Sequence, residues 1–199
     1  MHNRFSYDEY KDIISLIQGN LPIVSFNDVI DNNLTKYCVI RHDIEYSVDR
    51  AYKMAQIEAE IGVKSTYCIQ VRNNIYNAIS NKNIGLVKKI KALGHEIALH
   101  QDPPTGLGHY FKGDGVVKLE ELDVTYLADS NHKWKWGDPK DLDFTKVKKL
   151  QMNMHPYSWS EEGFNNFDNT VRVVKERTRE LTHSMTEIKT FSKELLKWN

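Results

Sequence analysis

Three short segments of the sequence carry groups suited to acid–base or metal chemistry. Residues 41–45 read R-H-D-I-E, residues 100–102 read H-Q-D, and residues 155–156 read H-P. Carboxylate oxygen and imidazole nitrogen are common zinc ligands, and a catalytic zinc raises the acidity of a bound water. A free carboxylate beside that water can act as a general base, and a second histidine can protonate a leaving group. If the three segments meet in space, they predict a metal-dependent hydrolase.

Each segment also has a purely structural interpretation when it is taken alone. A D-x-E pair at the end of a strand is more often a cap or an ion pair than a ligand set, and a lone histidine is usually hydrogen-bonded within the core. His95 follows Gly94, which ends a predicted helix, and we expect it to hydrogen-bond across that turn. The recurrence of the same residue types at three strand ends favours the functional interpretation.

The spacing of apolar residues predicts the elements that must position these groups. Apolar runs predict strands at residues 21–26, 37–40, 65–71, 95–99, 116–119, 124–128 and 149–154. A capping box at residues 6–9, an N-cap at Ser47 and helical periodicity predict helices at residues 7–18, 28–30, 48–61, 84–93 and 169–198. The alternation of strand and helix from residue 37 to residue 99 indicates parallel strands, whose carboxyl ends gather functional groups. The Gly- and Pro-rich residues 102–115 predict a loop.

Composition limits the classes of partner. The 199 residues include 27 basic and 27 acidic side chains, so no net charge attracts the chain to nucleic acid or to an anionic membrane surface. The first residues lack the apolar region of a signal peptide, and we expect a cytoplasmic protein without membrane insertion. Cys38 and Cys68 lie in apolar runs far from any C-x-x-C spacing, and they are expected to be buried thiols.

Five segments in order resemble the polysaccharide deacetylases of the NodB-homology, carbohydrate-esterase type. They read R-H-D-I-E-Y-S (41–47), G-V-K-S-T-Y (62–67), G-H-E-I-A-L-H (94–100), A-D-S-N-H-K-W (128–134) and L-Q-M-N-M-H-P (150–156). The resemblance runs from about Phe5 to Trp159 and is greatest to the branch whose first motif is R-H-D-x-D. It implies an α/β fold, a distorted and incomplete (β/α) barrel, that binds one divalent metal ion and removes an N- or O-acetyl group from a sugar.

The resemblance also assigns roles by position. Asp43 matches the catalytic base, Glu45 a metal-binding carboxylate, His100 a metal-binding histidine, and His155 the general acid. Zinc is the expected ion.

Further residues are assigned to the substrate. Asp129 and Trp134 resemble a loop at the rim of the site, and Arg41 and His42 are placed with them as substrate-binding residues. Aromatic side chains near the site at positions 134, 136, 157 and 159 could be sugar platforms or ordinary packing.

The sequence departs from the family pattern at three places. Position 45 is Glu where the family has Asp, and Pro104 stands where a second metal histidine would fall. Asp102 or His109 could replace that histidine, and we expect Asp102, because a residue two along a strand from His100 projects to the same face. The middle of the barrel is shortened and lacks the arginine-bearing motif that orients the base, for which Arg41 or Arg72 could stand in.

Together these observations predict a deacetylase-like α/β domain at residues 1–165. Residues 166–199 are predicted to form an amphipathic helix that packs on this domain or forms a homodimer. The expected activity is metal-dependent removal of an acetyl group from a sugar or a surface-polysaccharide precursor. A catalytically impaired carbohydrate-binding or interaction protein on the same scaffold, or a hydrolase of another non-peptide amide, remain the alternatives.

Overall fold

The computed structural model describes residues 4–100 and 123–187, which form a mixed α/β fold around a parallel sheet. The strands are β1 (Ile23–Val24), β2 (Tyr37–Ile44), β3 (Thr66–Ile69), β4 (Glu96–Leu99), β5 (Thr125–Ala128) and β6 (Lys149–Met154). The helices are α1 (Tyr7–Gln18), α2 (Phe26–Asn32), α3 (Val48–Ile61), α4 (Asn81–Ala92) and α5 (Asn166–Glu187). The strand order is β4-β3-β2-β6-β5, β1 pairs with β2, and each pairing is parallel.

The helices begin at polar caps that the sequence predicts. Ser6 Oγ accepts a hydrogen bond from the Glu9 N–H at the start of α1, and Ser47 Oγ accepts one from the Arg50 N–H at the start of α3. Glu9 in turn accepts from the Phe5 N–H at 2.6 Å, one residue before the N-cap. Helix α3 ends at Gly62, whose φ of +83° lies in the left-handed region that favours glycine.

Strand β2 has two buried faces with different chemistry. Ile40, His42 and Ile44 are fully buried and face α1 and α3. Arg41 and Asp43 project from the opposite face, because successive side chains of a strand alternate. The strand therefore delivers polar groups to a separate side of the sheet from the main core.

The predicted end of this strand at Ile40 is wrong. Strand β2 continues through Ile44, since its backbone pairs with β3 on one side and with β6 on the other. Arg41, His42 and Asp43 are consequently residues within a strand, and their side chains are held by the strand's regular geometry.

Helix α5 contacts the sheet-bearing part of the chain through charged and polar groups. The Arg50 guanidinium donates to Asn169 Oδ1 at 2.5 Å and to Glu176 Oε1 at 2.9 Å. Residues 188–199 of the predicted terminal helix lie outside the described residues, as do the predicted loop at 102–115 and the predicted strand at 116–119. Within the described part, no helix is both long and apolar enough to cross a membrane.

The two cysteines are free and buried, as the sequence predicts.

Candidate functional site

Two carboxylates and an imidazole meet at the carboxyl end of the parallel sheet. Asp43 lies near the end of β2, Glu45 directly follows that strand, and His100 directly follows β4. The Nε2 atom of His100 lies 3.9 Å from Asp43 Oδ2 and 3.9 Å from Glu45 Oε1. The structure thus brings together three of the side chains that the sequence singles out, from strands that are not adjacent in the sheet.

The carboxylate of Asp43 is held at both oxygens. Arg41 Nε donates to Oδ1 at 2.7 Å, and Asn153 Nδ2 donates to Oδ2 at 3.1 Å. The side chain is nearly inaccessible, with 5% of its residue surface exposed. Burial alone would lower the pKa of Arg41, but the charge and hydrogen bond of Asp43, together with smaller contributions from neighbouring groups, outweigh this effect and raise it. Arg41, assigned to the substrate from the sequence, therefore contacts the candidate base.

Asn153 is a functional residue that the sequence motifs do not indicate, although the sequence contains a signal for it. In the run L-Q-M-N-M of β6, the polar residues Gln151 and Asn153 alternate with apolar ones. The pairing of Arg41 with Asn153 across the two strands places the amide on the same face as Asp43. Period-two polarity in a buried strand thus indicates a partner for the carboxylate.

His155, directly after β6, is ordered by Asp129. The carboxylate of Asp129 accepts from the backbone N–H of His155 at 3.0 Å, from His155 Nδ1 at 2.6 Å and from Trp159 Nε1 at 2.7 Å. A proton on Nδ1 leaves Nε2 as the second ring nitrogen for proton transfer. Burial alone would lower the pKa of His155, but the hydrogen bond and the charge of Asp129, with contributions from Glu45 and Asp43, raise it.

The predicted contact of Asp129 with a substrate is corrected by this geometry. Asp129 has no exposed surface, and its two oxygens accept hydrogen bonds from His155 and Trp159. It is a positioning residue for His155 instead of a residue of the rim.

The predicted contact of His42 with a substrate is also corrected. The alternation of β2 directs its side chain toward the helices, where it is fully buried. Its Nε2 atom lies 2.7 Å from Glu58 Oε1, and its ring stacks on Tyr67 with centroids 4.3 Å apart. His42 is a core residue on the opposite face of the sheet from Asp43.

Glu58 is the centre of a buried polar cluster that is not predicted from the sequence. Its carboxylate accepts hydrogen bonds from the Tyr10 hydroxyl, His42 Nε2, the Ser65 hydroxyl and the Tyr67 hydroxyl. Burial alone would raise the pKa of Glu58, but the charge and hydrogen bond of His42, with smaller contributions from its neighbours, lower it to about 2. A signal exists in the sequence, since Glu58 shares the buried face of α3 with Ala51, Met54 and Ala55.

His95 lies at the edge of the same cluster and is a structural residue, as predicted, but its hydrogen bonds reach residues distant in sequence instead of crossing the turn after Gly94. Its Nε2 atom is 2.9 Å from the Ala55 carbonyl oxygen, and its Nδ1 accepts from the Ser65 N–H at 3.3 Å.

Trp134 is not placed as a sugar platform. Its ring stacks with Phe5 at a centroid distance of 6.4 Å and meets Trp159 edge-on at 6.3 Å. Trp159 is itself fully buried. These two aromatic residues are packing residues, whereas Trp136 is half exposed beside Tyr126 and Tyr157 lines an open groove.

The donor types at the site suit zinc, but the described residues do not complete a ligand set. His100 and Glu45 supply an imidazole nitrogen and a carboxylate oxygen, which zinc accepts. Asp102, the predicted third ligand, lies outside the described residues. Within residues 4–100 and 123–187, no group of three or more His, Cys, Asp or Glu side chains is arranged to hold a metal ion.

No protein-family model and no curated protein matches the chain.

Proposed function

We propose that the chain is a hydrolase that removes an acetyl group from a sugar or a surface-polysaccharide precursor, on a shortened (β/α) barrel. The observation that carries the proposal is the arrangement around Asp43. Arg41 and Asn153 hold its carboxylate, His100 lies 3.9 Å away, and the adjacent strand β6 is followed by His155, which a buried aspartate orders.

Asp43 is the general base in this proposal. It accepts a proton from the water that adds to the acetyl carbonyl carbon, and its orientation is fixed because both oxygens are hydrogen-bonded. The bonds from Arg41 and Asn153 leave lone pairs on the two oxygens, so the carboxylate can still accept a further proton.

His155 is the general acid. Its Nδ1–H donates to Asp129, so that the proton on Nε2 goes to the departing nitrogen or oxygen as the bond to the acetyl carbon breaks. The products are acetate and the free amine or alcohol of the sugar. The raised pKa of His155 supports this role, because it increases the protonated fraction of the imidazole near neutral pH.

Glu45, His100 and Asp102 are the residues proposed to hold a divalent ion, with zinc as the ion that their donor types suit best. Such an ion, when bound, supplies Lewis acidity for the water and for the developing oxyanion.

Pro104, where the family has a second ligand histidine, favours a second candidate function, namely a protein that binds carbohydrate without hydrolysing it. The same base and acid could also serve hydrolysis of another non-peptide amide.

The test is release of acetate from a panel of N- and O-acetylated sugars by the zinc-supplemented protein. Asp43→Asn should lower the rate by roughly 10²-fold to 10⁴-fold, the range of general base catalysis. Asp31→Asn, which changes an exposed aspartate on α2, is the matched control and should retain the rate. Equal rates for Asp43→Asn and the unmodified protein would refute the mechanism. Sugar binding without release of acetate would support the second candidate.

A further inference from the structure

Helix α5 is attached to the rest of the fold mainly through polar groups. Besides its two hydrogen bonds with α3 given above, Arg177 of the helix pairs with Asp49 of α3 at 3.6 Å, and Glu180 pairs with Lys82 of α4. Among residues 166–186 of the helix, Val173 is the one apolar side chain that is buried. The contact with the domain thus leaves most of the apolar side chains of α5 uncovered.

Three exposed apolar side chains form a line along α5. Phe167, Val174 and Leu181 expose 76%, 59% and 63% of their surface. They are spaced seven residues apart, which is close to two turns of an α-helix, so they lie one above the other on a single face. We call these three residues the α5 stripe. Exposed apolar side chains that occur singly are ordinary, but a line of three at a fixed spacing indicates a contact surface.

The α5 stripe belongs to a heptad pattern. Four residues after each of its members come Val171, Thr178 and Met185, which lie on the same face because four residues make about one turn. In the sequence, the stripe positions continue beyond the described residues with Ile188 and Leu195, again at intervals of seven. Apolar positions that alternate at three and four residues over four heptads are typical of a helix that pairs with another helix.

Room for a second helix lies beside the α5 stripe. Val174 and Leu181 line an open groove of about 590 Å³, together with residues after β2, β3 and β6 that include Tyr46, Ile75 and Tyr157. Ile75 is itself 45% exposed. A helix seated on the α5 stripe can therefore insert side chains into the groove and cover apolar surface on both sides of it.

A second copy of the chain is the partner that fits this surface. Its α5 carries the same heptad spacing, so the apolar layers of two such helices match along their length. A two-fold axis brings the same patch of both copies together, which is the usual arrangement of a homodimer.

The charges beside the α5 stripe favour an antiparallel pair of these helices. Asp168 directly follows a stripe position, and Lys175, Thr182 and Lys189 follow at intervals of seven in the sequence. In an antiparallel pair, the residues at this flanking position of one copy meet those of the other. Asp168 of each copy can then pair with Lys189 of the other, while Lys175 meets the uncharged Thr182.

We propose that two copies of the chain form a homodimer in which the α5 helices pair antiparallel along the α5 stripe, with Val174 of one copy opposite Met185 of the other. The 22 described residues of α5 extend about 33 Å, so a helix laid along them covers on the order of 300–400 Å² of each copy. Stable complexes bury about 800 Å² per partner. The smaller contact predicts a reversible dimer with a Kd in the micromolar range.

Sedimentation equilibrium of the full chain, from about 1 μM to about 200 μM, measures this Kd. Val174→Glu and, independently, Leu181→Glu should each raise it by about 100-fold or more, because each change brings two charges into the apolar contact of one dimer. Thr186→Glu adds the same charge at an exposed position of α5 outside the heptad pattern, and it should leave the Kd unchanged. Because the replaced side chains are exposed, all three variants should keep the helix content and the thermal unfolding midpoint of the unmodified monomer.

Disulfide formation tests the orientation of the two helices. Under mild oxidation, a mixture of Val174→Cys and Met185→Cys chains should form a mixed disulfide, and neither variant alone should crosslink, since both native cysteines are buried. A disulfide dimer of Val174→Cys alone would overturn the antiparallel arrangement. A chain that stays monomeric at about 200 μM, or a dimer that Val174→Glu and Leu181→Glu leave intact, would overturn the proposal. Monomers that bind anionic lipid vesicles through the α5 stripe would also overturn it.

Discussion

The Nδ1 atom of His155 lies 2.6 Å from Oδ1 of Asp129, and the carboxylate that it meets has no exposed surface. A buried carboxylate beside an imidazole stabilises the protonated ring and selects the neutral tautomer with its hydrogen on Nδ1. The second oxygen of Asp129 accepts from Trp159 Nε1, so the carboxylate cannot rotate away without losing that bond. The pair is therefore rigid as well as electrostatically coupled.

Replacement of Asp129 by Asn should lower the pKa of His155, because the amide removes the negative charge but keeps the side-chain shape. The pKa is measured directly by NMR titration of the His155 ring, in a readout that does not depend on turnover. If His155 is the general acid, the alkaline limb of the pH–rate profile should move to lower pH with it, and the rate at neutral pH should fall by roughly 10²-fold. Asp141→Asn, at an exposed position, is the control. An unchanged titration of His155 in Asp129→Asn would contradict the coupling.

Replacement of Arg41 by Gln should impair catalysis and also lower the stability of the fold. The guanidinium bonds Asp43 Oδ1 at 2.7 Å, and a base that loses its orientation can lose about 10²-fold in rate. Because about a third of the Arg41 side chain is exposed, solvent screens the ion pair, but the buried Asp43 would keep only the bond from Asn153, so the variant should lose roughly 1–3 kcal/mol of folding stability. The measurements are kcat and the thermal unfolding midpoint. Arg72→Gln removes the other arginine that the sequence offers for this role, and it should change neither. A larger loss of rate in Arg72→Gln would assign the role to Arg72.

The sequence predicts much of the order and type of the described elements because their signals are local. Strand β6 occupies the predicted residues 149–154, and α3 begins at its predicted cap and ends at its predicted glycine. Strand β2 is longer than predicted because the backbone at its polar end pairs with β3 and β6, which are distant in sequence. Apolar periodicity contains no information about such partners.

The candidate site is predictable in its residue types but not in their individual contacts. Convergence of Asp43, Glu45 and His100 follows from parallel strands that end at one edge of the sheet. The buried position of His42, in contrast, depends on which face of β2 meets α3. The role of Asp129 depends on its hydrogen bonds with the ring nitrogen of His155 and the indole of Trp159. These contacts are tertiary, so a motif places the residues at the site without assigning their partners.

If the proposed metal site is correct, replacement of His100 by Ala should remove bound zinc. We expect near-stoichiometric zinc after dialysis against dilute zinc, measured by elemental analysis, and a large loss of zinc in the variant because one imidazole ligand is missing. His183→Ala, on the exposed surface of α5, should keep the zinc. Chelation should abolish release of acetate, and added zinc should restore it. No bound zinc in the unmodified protein under zinc supplementation would contradict the proposed metal site.

Replacement of Glu58 by Gln should destabilise the fold and change its response to acid. The four donors that converge on the carboxylate lose their charged acceptor, and disruption of a buried pair of this kind costs about 3–5 kcal/mol. The pKa of Glu58 in the folded protein is lowered to about 2. The charged carboxylate therefore stabilises the fold fully above the ordinary carboxyl pKa of 4.5, and this contribution is lost as the pH falls toward 2. The free energy of unfolding, measured in urea from pH 7 to pH 2, should therefore decline less steeply below pH 4.5 in Glu58→Gln.

Glu60→Gln, at an exposed position of the same helix, should retain the pH dependence of the unmodified protein. Equal acid dependence in Glu58→Gln and the unmodified protein would contradict the lowered pKa of Glu58 in the folded state.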